Sequence, residues 1–187
     1  MRFGPATVGI LALSLSLLPM AVLAQEAGVS GSPLPDQPYT LFYPDVMVTS
    51  GQPGGPLTIN HPTLPLQCVL TVVPVDDSGW TAEGALAALD AAAVATGWSE
   101  TFPGFTLGAS SITSYQSNPA LQYEGTSTGS EQGGPITLVH TETVDAGNGY
   151  TLDCFYATEM AAEARPIVDS IIANFSTEQD AQPVVTP

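Results

Sequence analysis

Ser127 lies in the string Gly125-Thr126-Ser127-Thr128-Gly129, a literal match to G-x-S-x-G. In hydrolases that pattern works where a strand turns sharply into a helix, which lifts the serine into reach and aims backbone N–H groups at a developing oxyanion. The residues that follow, Ser130-Glu131-Gln132-Gly133-Gly134-Pro135, cannot open a helix cleanly. A serine nucleophile also needs a base that is itself oriented by an acid. His140 is the only later histidine, and the one acid between them, Glu131, is too close to Ser127 along the chain for a spatially assembled triad. The string reads as a strand end entering a polar loop, and a serine hydrolase using Ser127 is a weakly supported alternative.

Metal chemistry has a similarly short list of candidates. His140 and Glu142 are two apart in an extended segment and share a face, so they offer two ligands to a divalent ion, but no third is identifiable. His61, in Asn60-His61-Pro62, belongs to no metal-binding spacing. The run Asp145-Ala146-Gly147-Asn148-Gly149 lacks the spaced oxygen ligands of a calcium loop, and Gly51-Gln52-Pro53-Gly54-Gly55-Pro56 lacks the lysine and helix of a phosphate loop. Both read as turns, and no cofactor is expected. Trp80 and Trp98 bracket an alanine-rich helix, where they either stack a ligand ring or pin the helix ends to a core.

The chain has two cysteines, Cys68 and Cys154, each among apolar neighbours on its own strand face. No cation stands near either to lower a thiol pKa, as a nucleophile would require. Their pairing depends on the compartment. Residues 1–24 begin with Arg2, run through an apolar stretch broken by Pro19, and present Val22 and Ala24 before Gln25, the pattern of a secretory signal cleaved between Ala24 and Gln25. No stop-transfer cations follow, and no cysteine follows the cut to carry a lipid, so a periplasmic or secreted protein without stable membrane insertion is expected. In that oxidising setting two cysteines are most economically one disulfide, Cys68 to Cys154; two inert buried thiols are the alternative.

Charge bears on partners. All 18 acidic residues lie beyond the expected cut, where Arg165 is the only cation. Nucleic acids and anionic membranes are bound by neutralising phosphates with Lys and Arg, so both are disfavoured. A cationic protein is permitted, and a merely solvated acidic surface is the plainer reading. Oligomeric state is not encoded in any motif here.

These residues sit on a recognisable series of elements. After the signal, residues 25–37 read as a flexible lead, 38–175 as one folded unit and 176–187 as a disordered tail. Strands are expected near residues 39–49, 66–75, 105–116, 120–128, 135–144 and 150–157. Asn148-Gly149 is the strongest hairpin signal. One helix is predicted over 81–97, with Thr81 as N-cap and Gly97 as its end. A second carries Met160, Ala164, Ile167, Ile171 and Phe175 as its stripe, with Pro166 predicting a distorted first turn or a new start near Arg165. Strands bracketed by helices without β-α-β alternation give an α+β class, an antiparallel sheet flanked by two main helices in a single domain.

The opening Tyr39-Thr40-Leu41-Phe42-Tyr43-Pro44 and the closing strand and helix, GYTLDCFYATEMAAEARPIVDSIIANF, resemble the PsbP-like superfamily of extrinsic and small envelope proteins. That resemblance implies an antiparallel sheet flanked by helices, serving in binding or assembly without catalysis. The expected function is therefore an exported, non-catalytic binding or assembly domain of the bacterial cell envelope.

Overall fold

Alternating apolar side chains build the centre of the molecule. In residues 66–74 Leu66, Cys68 and Leu70 are buried while Gln67 and Val69 are half-exposed, and residues 148–157 repeat the pattern with Tyr150, Leu152, Cys154 and Tyr156. Side chains of period two on adjacent strands must share a face, and these two strands pair so that Leu152 meets Leu70 and Tyr156 meets Leu66.

The computed structural model of the chain describes residues 29–30, 37–76, 79–129 and 134–184. The elements are β1 (Val29–Ser30), β2 (Thr40–Leu41), β3 (Tyr43–Pro44), β4 (Val48–Gly51), β5 (Leu57–Asn60), β6 (Leu66–Pro74), α1 (Ala82–Ala88), α2 (Ala91–Ser99), β7 (Thr106–Ser114), β8 (Pro119–Ser127), β9 (Ile136–Asp145), β10 (Asn148–Ala157), α3 (Ala161–Ala173) and β11 (Phe175–Ser176). Seven strands form an antiparallel sheet in the order β4-β5-β6-β10-β9-β8-β7. Two short ribbons, β1 with β3 and β11 with β2, lie outside it. The result is one mixed α+β domain. The expected signal and its cleavage site at Ala24 and Gln25 lie outside the described residues, as does Glu131.

One face of the sheet is closed by α3. Ala164, Val168, Ile171 and Ile172 of that helix, with Phe175 beyond it, pack on the buried residues of β6 and β10. The predicted stripe is therefore rotated: Val168 and Ile172 take core positions, and Phe175 belongs to β11. Pro166 lies inside α3 without restarting it; the irregularity is upstream, a 3-10 turn over Thr158–Met160.

The opposite face carries α1 and α2, and here the sequence reading needs correction. The single helix expected over 81–97 is two, so among the described residues three α-helices flank the sheet rather than two. Leu89 is extended, and the Asp90 carboxylate accepts the N–H groups of Ala92 at 2.9 Å and Ala93 at 3.1 Å, starting a new helix. Short acidic side chains favour such caps over helix interiors, which is why the chain breaks there. Thr81 caps α1 as expected, its side chain accepting the Gly84 N–H. Gly97 lies within α2, which runs to Ser99.

Two other boundaries move. The β9–β10 hairpin turns on Ala146 and Gly147, with φ of 47° and 76°, and Asn148 already pairs with Asp145. A two-residue turn of this hand matches the twist of the strands. At the C-terminus, Ser176 pairs with Thr40, the Thr40 hydroxyl donates to the Glu178 carbonyl, and the Thr177 hydroxyl donates to Asp145, so residues 176–178 are fastened to the fold.

Candidate functional site

His140 is the most chemically loaded residue of the described chain. It lies on β9, on the face turned toward α1 and α2, and is buried at 6% exposure. The antiparallel register sets it opposite Asp153 of β10 and Tyr123 of β8. Its Nδ1 donates to Asp153 Oδ1 at 2.6 Å, and its Nε2 lies 3.4 Å from Glu142 Oε2. The Tyr123 ring stacks on it, with centroids 4.3 Å apart and planes at 14°. Trp98 of α2 donates its indole N–H to the Tyr123 hydroxyl at 2.8 Å, tying the helix to the stack.

Burial alone would discharge this imidazole, yet hydrogen bonds and charge from Asp153 and Glu142 outweigh it and push the pKa up to about 9. Near neutral pH the ring is an imidazolium with both N–H groups directed at carboxylates. Such a group is a poor general base. It is also a poor metal ligand, because the two carboxylates sit at opposite ring nitrogens and no single point faces all three side chains. Among the described residues no cluster of His, Cys, Asp and Glu is arranged to hold a metal ion. His140 forms an ion-paired clip with Asp153 and Glu142. The burial of Tyr123, which outweighs its bond from Trp98, raises the phenol to about 12 and keeps it neutral.

Ser127 is remote from that clip. It pairs with Ile136 while His140 pairs with Tyr123, four positions along the strand or about 13 Å. Its hydroxyl is buried, lies 2.6 Å from the Pro103 carbonyl and 2.5 Å from that of Gly129, and accepts the Gly129 N–H at 3.2 Å. The serine closes the exit from β8, and the next described element is the strand β9. Gly125 has its own reason: a Cβ there would come 2.0 Å from the Phe105 ring, which lies over the strand. The G-x-S-x-G string thus separates into a ring contact and a loop fastening.

Cys68 and Cys154 are directly opposed on β6 and β10, with Cα atoms 4.0 Å apart and sulfurs bonded at 2.08 Å. Both are fully buried under α3. On this same face Arg165 of α3, half-exposed, donates to Glu124 of β8 at 2.6 Å and to Asp169 at 2.7 Å, so the cation is already paired with two carboxylates of the chain.

The open surface is elsewhere. α1 packs on β7 and β8, and α2 on β7. On the same face of β5, β6 and β10, the side chains of Thr58, Gln67, Val69, Thr71, Thr151 and Asp153 remain half-buried. At the foot of this uncovered half is a cavity of about 580 Å³, where the end of α2 (Glu100, Thr101, Phe102) faces Asn60, Gln67 and Phe155 of the sheet and His61 of the following loop. Among the described residues no lysine or arginine lines it. A pocket of this size, with aromatic walls and a few convergent polar groups, has the anatomy of a binding site. Sequence reading missed Asp153, Asn60, Gln67 and Phe102, all of which acquire meaning only across strands or between helix and sheet. Trp98 was singled out, and it proves to be a pin holding α2 to the sheet. Asp145, in the β9–β10 turn, is engaged by the Thr177 hydroxyl.

No protein-family model matches this chain, and no curated protein sequence matches it significantly. Solved structures do share its fold. The cyanobacterial PsbP protein CyanoP from Synechocystis sp. PCC 6803 superposes with a TM-score of 0.56 at 11% identity, over 86% of this chain and 98% of that one. The Ran-binding protein Mog1p of Saccharomyces cerevisiae gives 0.53 at 6% identity, over 81% and 96%. LpqN of Mycobacterium tuberculosis, described as involved in cell envelope biogenesis, gives 0.51 at 16% identity, over 79% and 90%. The PsbP-like resemblance holds at the level of the fold.

Proposed function

We propose that this chain is an exported, non-catalytic binding or assembly domain of the cell envelope whose partner is a protein with a cationic face. The observation that carries this reading is the uncovered half of the sheet, together with its cavity. Its charged groups are the carboxylates Glu100, Glu142 and Asp153 and an imidazolium already claimed by two of them. With 18 acids in the sequence and Arg165 already paired with Glu124 and Asp169, approach of a basic surface is favoured over long range and approach of a polyanion is opposed. The neighbours support a binding role in kind: Mog1p is a Ran-binding protein and LpqN serves envelope biogenesis. Among the described residues no helix is long and apolar enough to cross a membrane.

Capture of partners from the native envelope at low ionic strength, followed by association kinetics in rising salt, tests the proposal. We expect protein partners whose association slows as salt rises. Reproducible ester hydrolysis that Ser127→Ala abolishes would contradict it. Intact mass of the exported protein should place its first residue at Gln25; retention of Met1 in a membrane-extracted product would remove the compartment from the account.

A further inference from the structure

We propose that the cavity beside Phe102 and Phe155 receives a short extended segment of the partner protein, with an arginine or lysine side chain seated in it. This rests on the binding-domain reading and names the chemistry that its site selects. Three independent features point the same way. The Phe102 and Phe155 rings stand with centroids 5.2 Å apart at 47° in the cavity lining, an apolar wall that suits the aliphatic stem of a long cationic side chain. Glu100 follows the last turn of α2, a turn without a basic residue, so its carboxylate and the helix carbonyls place negative potential on the same rim. Among the described residues no lysine or arginine in the lining opposes it.

The polar groups suit a peptide backbone. Gln67 donates its amide to Asn60 Oδ1 at 2.7 Å, which leaves Gln67 Oε1 as an acceptor and the Asn60 amide as a donor beside the cavity. His61 Nδ1 accepts the Leu64 and Thr63 N–H groups at 2.9 and 3.2 Å, which leaves Nε2 as the ring's donor. A volume of about 580 Å³ exceeds what one arginine side chain fills, and accommodates the residues on either side of it.

The test is a titration of the 15N-labelled, disulfide-bonded protein with acetyl-Gly-Arg-Gly-amide, its citrulline counterpart, which keeps the shape and loses the charge, and spermidine. Saturable amide shifts at Gln67, Glu100, Thr101, Phe102 and Phe155 are expected for the arginine peptide. Binding should weaken about tenfold or more for citrulline and several-fold in Glu100→Gln. Equal binding of the citrulline peptide, shifts scattered over the acidic surface, or tighter binding of spermidine would each overturn the proposal. Glu100 is exposed, so its substitution leaves the fold intact. If the captured native partner binds Glu100→Lys unchanged, the pocket assignment fails while the binding-domain reading stands. If no partner is captured and the peptide does not bind, both fail.

Discussion

The two faces of the sheet are built on different principles. Under α3 the side chains are apolar and fully enclosed, the disulfide joins the central strands, and the few polar groups are paired internally, as when the buried Tyr115 hydroxyl donates to Thr141 at 2.6 Å. On the other face two short helices lie over β7 and β8, with Trp98 of α2 reaching His140 of β9 and Phe155 of β10; the central row is Tyr123, His140 and Asp153, and side chains of β5, β6 and β10 beyond it are left half-exposed. Burying a charge is costly unless it is paired, so a face bearing an imidazolium and two carboxylates gains less from enclosure than one lined with Leu and Ile. The closed face secures the fold, and the open face leaves polar side chains uncovered, which is where the proposed binding is placed.

Breaking the closed face at its covalent link should have the largest effect. For a loop of 86 residues the chain-entropy argument gives about 4–5 kcal/mol, and Cys68→Ser or Cys154→Ser should lower the unfolding free energy by an amount of that order, read from urea midpoints. Protein denatured without reductant should contain no titratable thiol. Next is the clip on the open face. Because the folded-state pKa of His140 is raised from 6.5 to about 9, its stabilisation is full below pH 6.5 and is lost as the pH rises through 9. Stability should fall by on the order of 3 kcal/mol across that window, and His140→Gln should flatten the dependence while lowering stability at pH 6.

A smaller effect is expected at the edge of the helix-covered region. Gly125→Ala places a methyl group into the Phe105 ring and should cost about 2 kcal/mol in thermal or urea denaturation, with no catalytic phenotype. Smallest is Arg165→Met, which breaks a half-exposed bridge from α3 to β8 and should cost about 1 kcal/mol, less in high salt.

The closed face was legible in the sequence because period-two alternation in residues 66–75 and 150–157 states which side chains share a face, and two cysteines in apolar strands offer few other uses. The open face was not. Reading the turn at Asn148-Gly149 would set Gly147 opposite Tyr150 and His140 opposite Ala157; the turn at Ala146-Gly147 shifts the register and brings Asp153 to His140. A two-residue difference in one turn thus conceals the central ion pair. The break at Asp90 was hidden because alanine on both sides sustains a helical pattern, and the local cap decided against it. The cavity depends on how α2 ends against β6 and β10, a relation that no single segment encodes.

The most direct test of this division of labour places a photo-crosslinking amino acid at Thr71, on the open face, and separately at Glu163, on the outer surface of α3, in protein exported by its native host. The account predicts a discrete adduct with a basic protein from the Thr71 position, diminished by raised salt, and none from Glu163. An adduct formed from Glu163 alone would contradict it.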